Sequence, residues 1–240
     1  MNVPVEAKPV SKYIPSTENY DVYAGVRVKG KADANKNFTY SSSLIEQFEE
    51  YGKNIKIADD ATIRGNRGSL NFDDEGVPGQ RTLMVENGIL TSYLHDRISA
   101  KFYGVAPTGN GRRESFRSSP IPRMRATYME SGNAEPEGII ASVSKGIYVN
   151  EFSNGQVKIG EGDFTFFVKS GFLIENGKLT TPVKDINVIG NGPQALKDIV
   201  AVGNDCVIDD SAWTCGKGQS VPVCCGMPTV LIDNLTVGGE

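Results

Sequence analysis

Glu-Asn-Gly occurs twice between apolar runs, at Glu86-Asn87-Gly88 and Glu175-Asn176-Gly177, and no other feature restricts the fold of this chain so strongly. Asparagine and glycine both tolerate the positive φ angles of a type I′ turn, whose twist matches the two strands of an antiparallel hairpin. Leu83-Met84-Val85 with Ile89-Leu90, and Phe172-Leu173-Ile174 with Lys178-Leu179, supply the flanking strands. Further strands are predicted at Gln156–Ile159, at Phe164–Val168 after a turn at Gly160–Gly162, and at Val230–Val237. Twenty-seven glycines and twelve prolines imply many turns and favour short strands over a helical bundle. The expected fold is α+β, a mainly antiparallel β-sheet or barrel-like domain carrying a few short helices.

The N-terminal part reads differently. Residues 1–19 are polar and interrupted by Pro4, Pro9 and Pro15, which predicts an extended arm. From Tyr20, Val22, Ala24, Val26 and Val28 alternate with polar residues up to Lys29, the period of one strand. Ser41–Tyr51 has a serine cap, Glu46 and an apolar face of Leu44, Ile45 and Phe48, which predicts a helix. Residues 1–54 are thus expected to form a divergent arm, strand and helix, and residues 55–240 the main domain. Within the latter, a helix opens at Glu135-Pro136-Glu137 with Gly146 as its stop, and a second spans Gln194–Val202 before Gly203.

Counts exclude several functions. The net charge of −4 argues against a nucleic-acid partner, which usually meets a basic face. No apolar run approaches the ~20 residues of a membrane helix, and the first twenty residues contain no signal-peptide core, so a cytoplasmic location with no membrane partner is expected. The four cysteines, Cys206, Cys215, Cys224 and Cys225, lack the C-x₂-C spacing of a zinc knuckle. They are expected as reduced, mostly buried small side chains. His95 is the one histidine, so a metal site of the two-histidine type cannot be assembled from this sequence. Its setting, Tyr93-Leu94-His95-Asp96-Arg97, suggests the start of a short helix.

The local chemistry is suggestive only. Thr108-Gly109-Asn110-Gly111-Arg112-Arg113 is a glycine-rich loop whose arginines could grip a carboxylate or phosphate, but with neither a P-loop nor a Rossmann pattern present a polar surface loop is expected from spacing alone. Arg112, Arg113, Arg117, Arg123 and Arg125 cluster around a proline-stiffened segment, where pairing with the surplus acids is the expected role. Asp73-Asp74-Glu75-Gly76 does not match a calcium loop and reads as a turn. Cys215 beside Lys217 could be a thiolate ligand or a structural cysteine.

Taken together and in order, these segments resemble the TldD branch of the TldD/PmbA metallopeptidases. The resemblance rests on Phe72-Asp73-Asp74-Glu75-Gly76-Val77-Pro78, Val85-Glu86-Asn87-Gly88, Thr108–Ser115, Pro122-Arg123-Met124 and Ile174-Glu175-Asn176-Gly177. It continues through Val202-Gly203-Asn204-Asp205, Cys215-Gly216-Lys217-Gly218-Gln219 and Asp233–Gly239. It implies a cytoplasmic zinc peptidase of short or unfolded peptides that assembles as a homodimer or as a heterodimer with a TldD/PmbA-type subunit. It implies Cys215 as a metal ligand, and Asn110, Gly111, Arg112 and Arg113 as residues near the bound peptide. The family's two other ligands are the histidines of H-E-x-x-H, and that window falls here on Asp21-Val22-Tyr23-Ala24-Gly25-Val26. Zinc is therefore expected in the intact family enzyme but not in this chain alone, and no catalytic residue is assigned. The alternative expectation is a non-catalytic peptide-binding or scaffolding subunit that assembles with a catalytic partner.

Overall fold

The computed structural model describes residues 55–158, 161–209 and 213–238 in full, together with the backbone of 19–23, 26–32 and 38–39. The expected arm at 1–18 and helix at 41–51 lie outside the described residues, as do Ile159 and Gly160. In the N-terminal part, β1 (Asn19–Tyr23), β2 (Val26–Ala32) and β3 (Phe38–Thr39) form a three-stranded antiparallel sheet. The single strand expected from Tyr20 to Lys29 is therefore two, with Tyr23 opposite Val26.

The remaining elements run β4 (Ile57–Asp60), β5 (Arg81–Glu86), β6 (Ile89–Leu90), α1 (Arg97–Tyr103), β7 (Gly111–Arg112), β8 (Ile121–Pro122) and β9 (Ala126–Met129). Next come α2 (Pro136–Ser142), β10 (Lys145–Val157), β11 (Asp163–Glu175), β12 (Lys178–Val183), β13 (Ile186–Asn191), α3 (Gly192–Lys197) and β14 (Ile199–Val202). The chain ends with β15 (Val207–Asp209), β16 (Thr214–Gly216), β17 (Ser220–Pro222), β18 (Cys224–Met227), β19 (Val230–Ile232) and β20 (Thr236–Gly238). The result is a strand-rich α+β fold in which, among the described strand pairs, β18 and β9 run parallel and the others antiparallel.

Two compact units result. One combines Met1–Lys53, Gly132–Asn204 and Thr229–Glu240, and the other combines Asn54–Ser131 with Asp205–Pro228. In the first, β10, β11, β13 and β20 pair in that order and β12 also pairs β11. Strands β10 and β11 are thirteen residues each, longer than expected. Their register slips past Asn150, Ser153 and Lys169, where bulges absorb the twist of so long a ribbon. Val168, Ile174, Val188, Ile139 and Ala195 are buried in this unit.

Both Asn-Gly hairpins form as predicted, with φ of 51° at Asn87 and Asn176 and 73° at Gly88 and Gly177. Helix α2 ends at Ser142, because β-branched Val143 turns extended, and Gly146 lies within β10. The helix expected at Gln194–Val202 is only α3, and Ile199–Val202 pairs with β19 as β14. Ile199, Val200 and Val202 are β-formers that gain a ladder there. Val230–Val237 divides into β19 and β20, which belong to different sheets.

The second unit is built on a six-stranded sheet in the order β15-β18-β9-β4-β5-β6. Its apolar core uses small residues, among them Ala58, Ala126, Val221, Val223 and Cys224. The space that larger apolar groups would occupy is taken by polar ones. Arg123, Arg125, Asn110 and Asp59 are among the largest side chains below 2% exposure.

Candidate functional site

Strand β4 places Asp59 in the middle of this sheet, with Thr127 on β9 and Thr82 on β5 as its neighbours. A buried carboxylate is costly unless donors surround it. Asp59 finds three: Asn110 Nδ2 at 2.8 Å, Arg125 N at 2.7 Å and Thr127 Oγ1 at 2.7 Å. Asn110 Nδ2 also donates to Arg123 O at 2.9 Å, and its Oδ1 accepts from Thr108 Oγ1 at 2.7 Å. The Thr108 hydroxyl in turn accepts from His95 N at 2.6 Å. One continuous polar chain thus links the start of α1 to the centre of the sheet.

His95 stands just before the Asp96 N-cap of α1, which forms a capping box with Ser99. The helix start was legible in the sequence, but the imidazole is buried at 5% exposure. It lies 3.2 Å from Ser99 Oγ and stacks edgewise on Tyr93. Burial pushes its pKa down, with Asp96 partly opposing.

The glycine-rich loop is seated by the turn before it. Asp73 accepts from Val77 N and Glu75 N through Oδ1 and from Gly111 N through Oδ2. Asp74 accepts from Arg113 N at 2.9 Å and approaches Arg113 Nε at 3.5 Å. Gly109 has φ of 73°, and a Cβ there would stand 2.4 Å from Pro78 O. Only glycine fits.

The structure separates the four loop residues Asn110, Gly111, Arg112 and Arg113. Asn110 and Arg112 are buried, and their polar atoms meet protein groups. Gly111 donates its N–H to Asp73, whereas the Arg113 side chain is about a third exposed.

Of the clustered arginines, Arg113 meets an acid as expected, Asp74, and the three buried ones do not. Arg112, Arg123 and Arg125 are 4%, 1% and 0% exposed, and among the described residues none forms an ion pair with an acid. Backbone carbonyls hold them instead. Arg112 donates to Met124 O at 2.6 Å and Pro222 O at 2.9 Å. Arg123 Nη2 donates to Cys215 O and, at 2.8 Å, to Gln219 O. Arg125 donates to Gly109 O through Nε at 2.8 Å and through Nη2. Among the described residues, Arg123 Nε and Nη1 and Arg125 Nη1 find no acceptor. Burial, followed by the charge of Arg125, lowers the Arg112 pKa to about 10, with Asp59 pulling the other way. Burial likewise lowers that of Arg125. The sequence signal for this cluster was the alternation Arg123-Met124-Arg125 leading into a strand, which puts like side chains on one face.

Cys215 lies on β16, paired with Val221 of β17, and is half-buried and unbridged. Cys224 is fully buried and its neighbour Cys225 half-buried, the alternation expected of adjacent strand residues. Burial raises the Cys225 thiol pKa, and the nearby Cys224, Asp209 and Cys215 raise it further. Cys206 donates its thiol to Met129 O at 3.0 Å, and burial raises its pKa too.

Zinc chemistry needs three protein ligands and an open position. Among the described residues no three histidine, cysteine or acidic side chains are grouped to hold a metal. The only imidazole, His95, is packed among Tyr93, Tyr103 and Ser99. One thiol does not make a hydrolytic zinc site, so these residues do not by themselves fit the metal that the resemblance implies. No helix among the described residues is long and apolar enough to cross a membrane.

The family model of the PmbA/TldA metallopeptidase C-terminal domain matches residues 36–239. The metalloprotease TldD homologue of Buchnera aphidicola is 48% identical over 184 residues, which cover 76% of this chain and 38% of that protein. The zinc metalloprotease TldD homologue of Saccharolobus solfataricus is 34% identical over 169 residues, covering 70% of this chain and 38% of that protein. The crystal structure of TldE from Thermococcus kodakarensis superposes with a TM-score of 0.65 at 22% identity, over 80% of this chain and 41% of that one, a likeness of fold. The chain thus spans about two fifths of the length of the relatives it matches.

Proposed function

This chain belongs to the PmbA/TldD metallopeptidase family, and from that premise we propose that it is the sulfur-donating C-terminal part of a zinc peptidase acting on short or unfolded peptides in the cytoplasm. The observation that carries the reading is the donor count. Cys215, which the resemblance implies as the family's cysteine ligand, lies on the hairpin of β16 and β17, and the sequence contains a single, buried histidine. The missing imidazoles come from a TldD/PmbA-type subunit or from a further segment of the full-length protein. Cys215 would hold one position of the zinc, which would supply Lewis-acid activation for peptide hydrolysis. This chain contributes the fixed sulfur and the floor of the site. The Asn110–Arg113 loop lies along the peptide path, with Arg113 facing the peptide and Asn110, Gly111 and Arg112 building the support beneath it.

The pure chain is expected to leave an unstructured peptide intact with or without added zinc. Mixed with a chain that carries paired histidines, it is expected to take up about one zinc per complex and gain hydrolysis, both lost in Cys215→Ala. Zinc-dependent cleavage by the pure chain, abolished by that same substitution, overturns the reading. A second reading is favoured by β10, a thirteen-residue edge strand whose second half is exposed. Such an edge accepts another strand, either a peptide or a second subunit. A non-catalytic binding or scaffolding subunit then predicts micromolar peptide affinity in calorimetry without any metal.

A further inference from the structure

We propose that Arg123, aided by Arg112, is a positioning residue that locks the hairpin of β16 and β17 and so fixes where the Cys215 sulfur stands. The proposal rests on reading Cys215 as the sulfur donor. The hairpin is weak by itself: its two strands have three residues each, and two-stranded hairpins are marginal in water. Its tip is open, since a Cβ added at Gly216 or Gly218 would meet nothing within 4 Å. Buried apolar contacts come from Val221 and, just beyond, Val223.

Polar contacts to the glycine-rich loop and β8 do the rest. Arg123 Nη2 reaches Cys215 O on the first arm and Gln219 O at the start of the return. Arg112 Nη2 holds Pro222 O at the end of the second arm. The Gln219 side chain accepts from Glu114 N at 3.0 Å and donates to Ser119 O at 2.9 Å, and Glu114 Oε2 accepts from Ser220 N at 3.1 Å. Lys217 Nζ meets Pro122 O at 3.3 Å. The two stretches Gly109–Ser115 and Cys215–Gln219, far apart in sequence, are one mechanical assembly.

Stability does not explain the choice of residue. Arg123 is 1% exposed, has no carboxylate partner among the described residues and leaves Nε and Nη1 unmet. An apolar side chain of similar length would avoid that desolvation. What an apolar group cannot supply is a donor such as Nη2, which by itself reaches main-chain oxygens at Cys215 and Gln219, on either side of the hairpin tip.

The test is site-resolved alkylation of the folded full chain by iodoacetamide, read by mass spectrometry on the peptides of Cys215 and Cys206. In Arg123→Met, Cys215 is expected to react about tenfold faster, the equivalent of one charge-assisted hydrogen bond in the opening equilibrium. Cys206, bonded outside the hairpin, keeps its native rate. Arg123→Lys restores part of the protection, and Gln219→Ala gives a smaller acceleration in the same direction. These two carry the test if Arg123→Met does not fold. An unchanged Cys215 rate, or equal acceleration at Cys206, overturns the proposal, since the arginine is then either idle or merely part of the general fold. The ligand reading fails separately, if zinc uptake by the mixed complex survives Cys215→Ala while the alkylation ratio behaves as expected.

Discussion

At the scale of single residues, His95 and Asp59 make opposite demands on their surroundings. The buried imidazole is held below its usual range by lost hydration. The unfolded chain takes up a proton near pH 6.5 that the folded chain resists, so stability is complete above about that pH and declines below it. The decline stops only once the folded imidazole is itself protonated. The melting temperature at about pH 5 is expected to lie below that at about pH 7.5, and the gap should narrow in His95→Asn, measured by calorimetry. Asp59, by contrast, is an acceptor that three donors depend on. Asp59→Asn brings an amide N–H against donors that need an acceptor, and is expected to lower stability by about 3 kcal/mol in urea titrations. Neither role could be read from the sequence. Asp59 and Asp60 sit in a stretch, Ile57-Ala58-Asp59-Asp60, whose polarity suggests a surface loop, yet it is a central strand. The deciding partners are 51 to 68 positions away, and periodicity carries no information at that range.

At the scale of elements, legibility follows how locally an element is determined. The two Asn-Gly hairpins were readable because both central residues take positive φ by their own chemistry. At Gly177 a Cβ would also stand 2.6 Å from Ala141 O, so Gly177→Ala is expected to cost about 2 kcal/mol by combined strain and overlap. Its thermal unfolding midpoint reports that loss. Boundaries set by partners were misread. The helix expected from Gln194 to Val202 stops at Lys197, because β19 recruits the apolar run Ile199–Val202 into a ladder. The long ribbon of β10 and β11 was foreshortened in prediction because Lys145–Ser153 mixes polar and apolar residues without alternation, and only pairing with β11 makes it a strand.

At the scale of the whole molecule, family membership was legible from the ordered motifs, several of which now have a physical reason. Asp73–Pro78 seats the glycine-rich loop, Gly109 and Gly111 let it approach, and Pro122-Arg123-Met124 anchors the hairpin of Cys215. What no inspection of a single sequence reveals is that the second unit is gathered from two separated stretches, with Gly132–Asn204 threaded between them. Arg123 and Cys215 are 92 positions apart, and Arg112 and Pro222 are 110 apart.

That interleaving gives the chain a timetable. As it leaves the ribosome, Arg112 and Arg123 emerge long before Cys215, Gln219 and Pro222, whose carbonyls they meet, and the intervening segment has time to fold first. Until Asp205–Pro228 arrives, two cations, Arg112 and Arg123, lack these distant acceptors, and making those contacts is a late, slow step of high sequence separation. A ribosome stalled before residue 205 should therefore display a protease-sensitive 54–131 segment, and one stalled well past residue 228 a protected one.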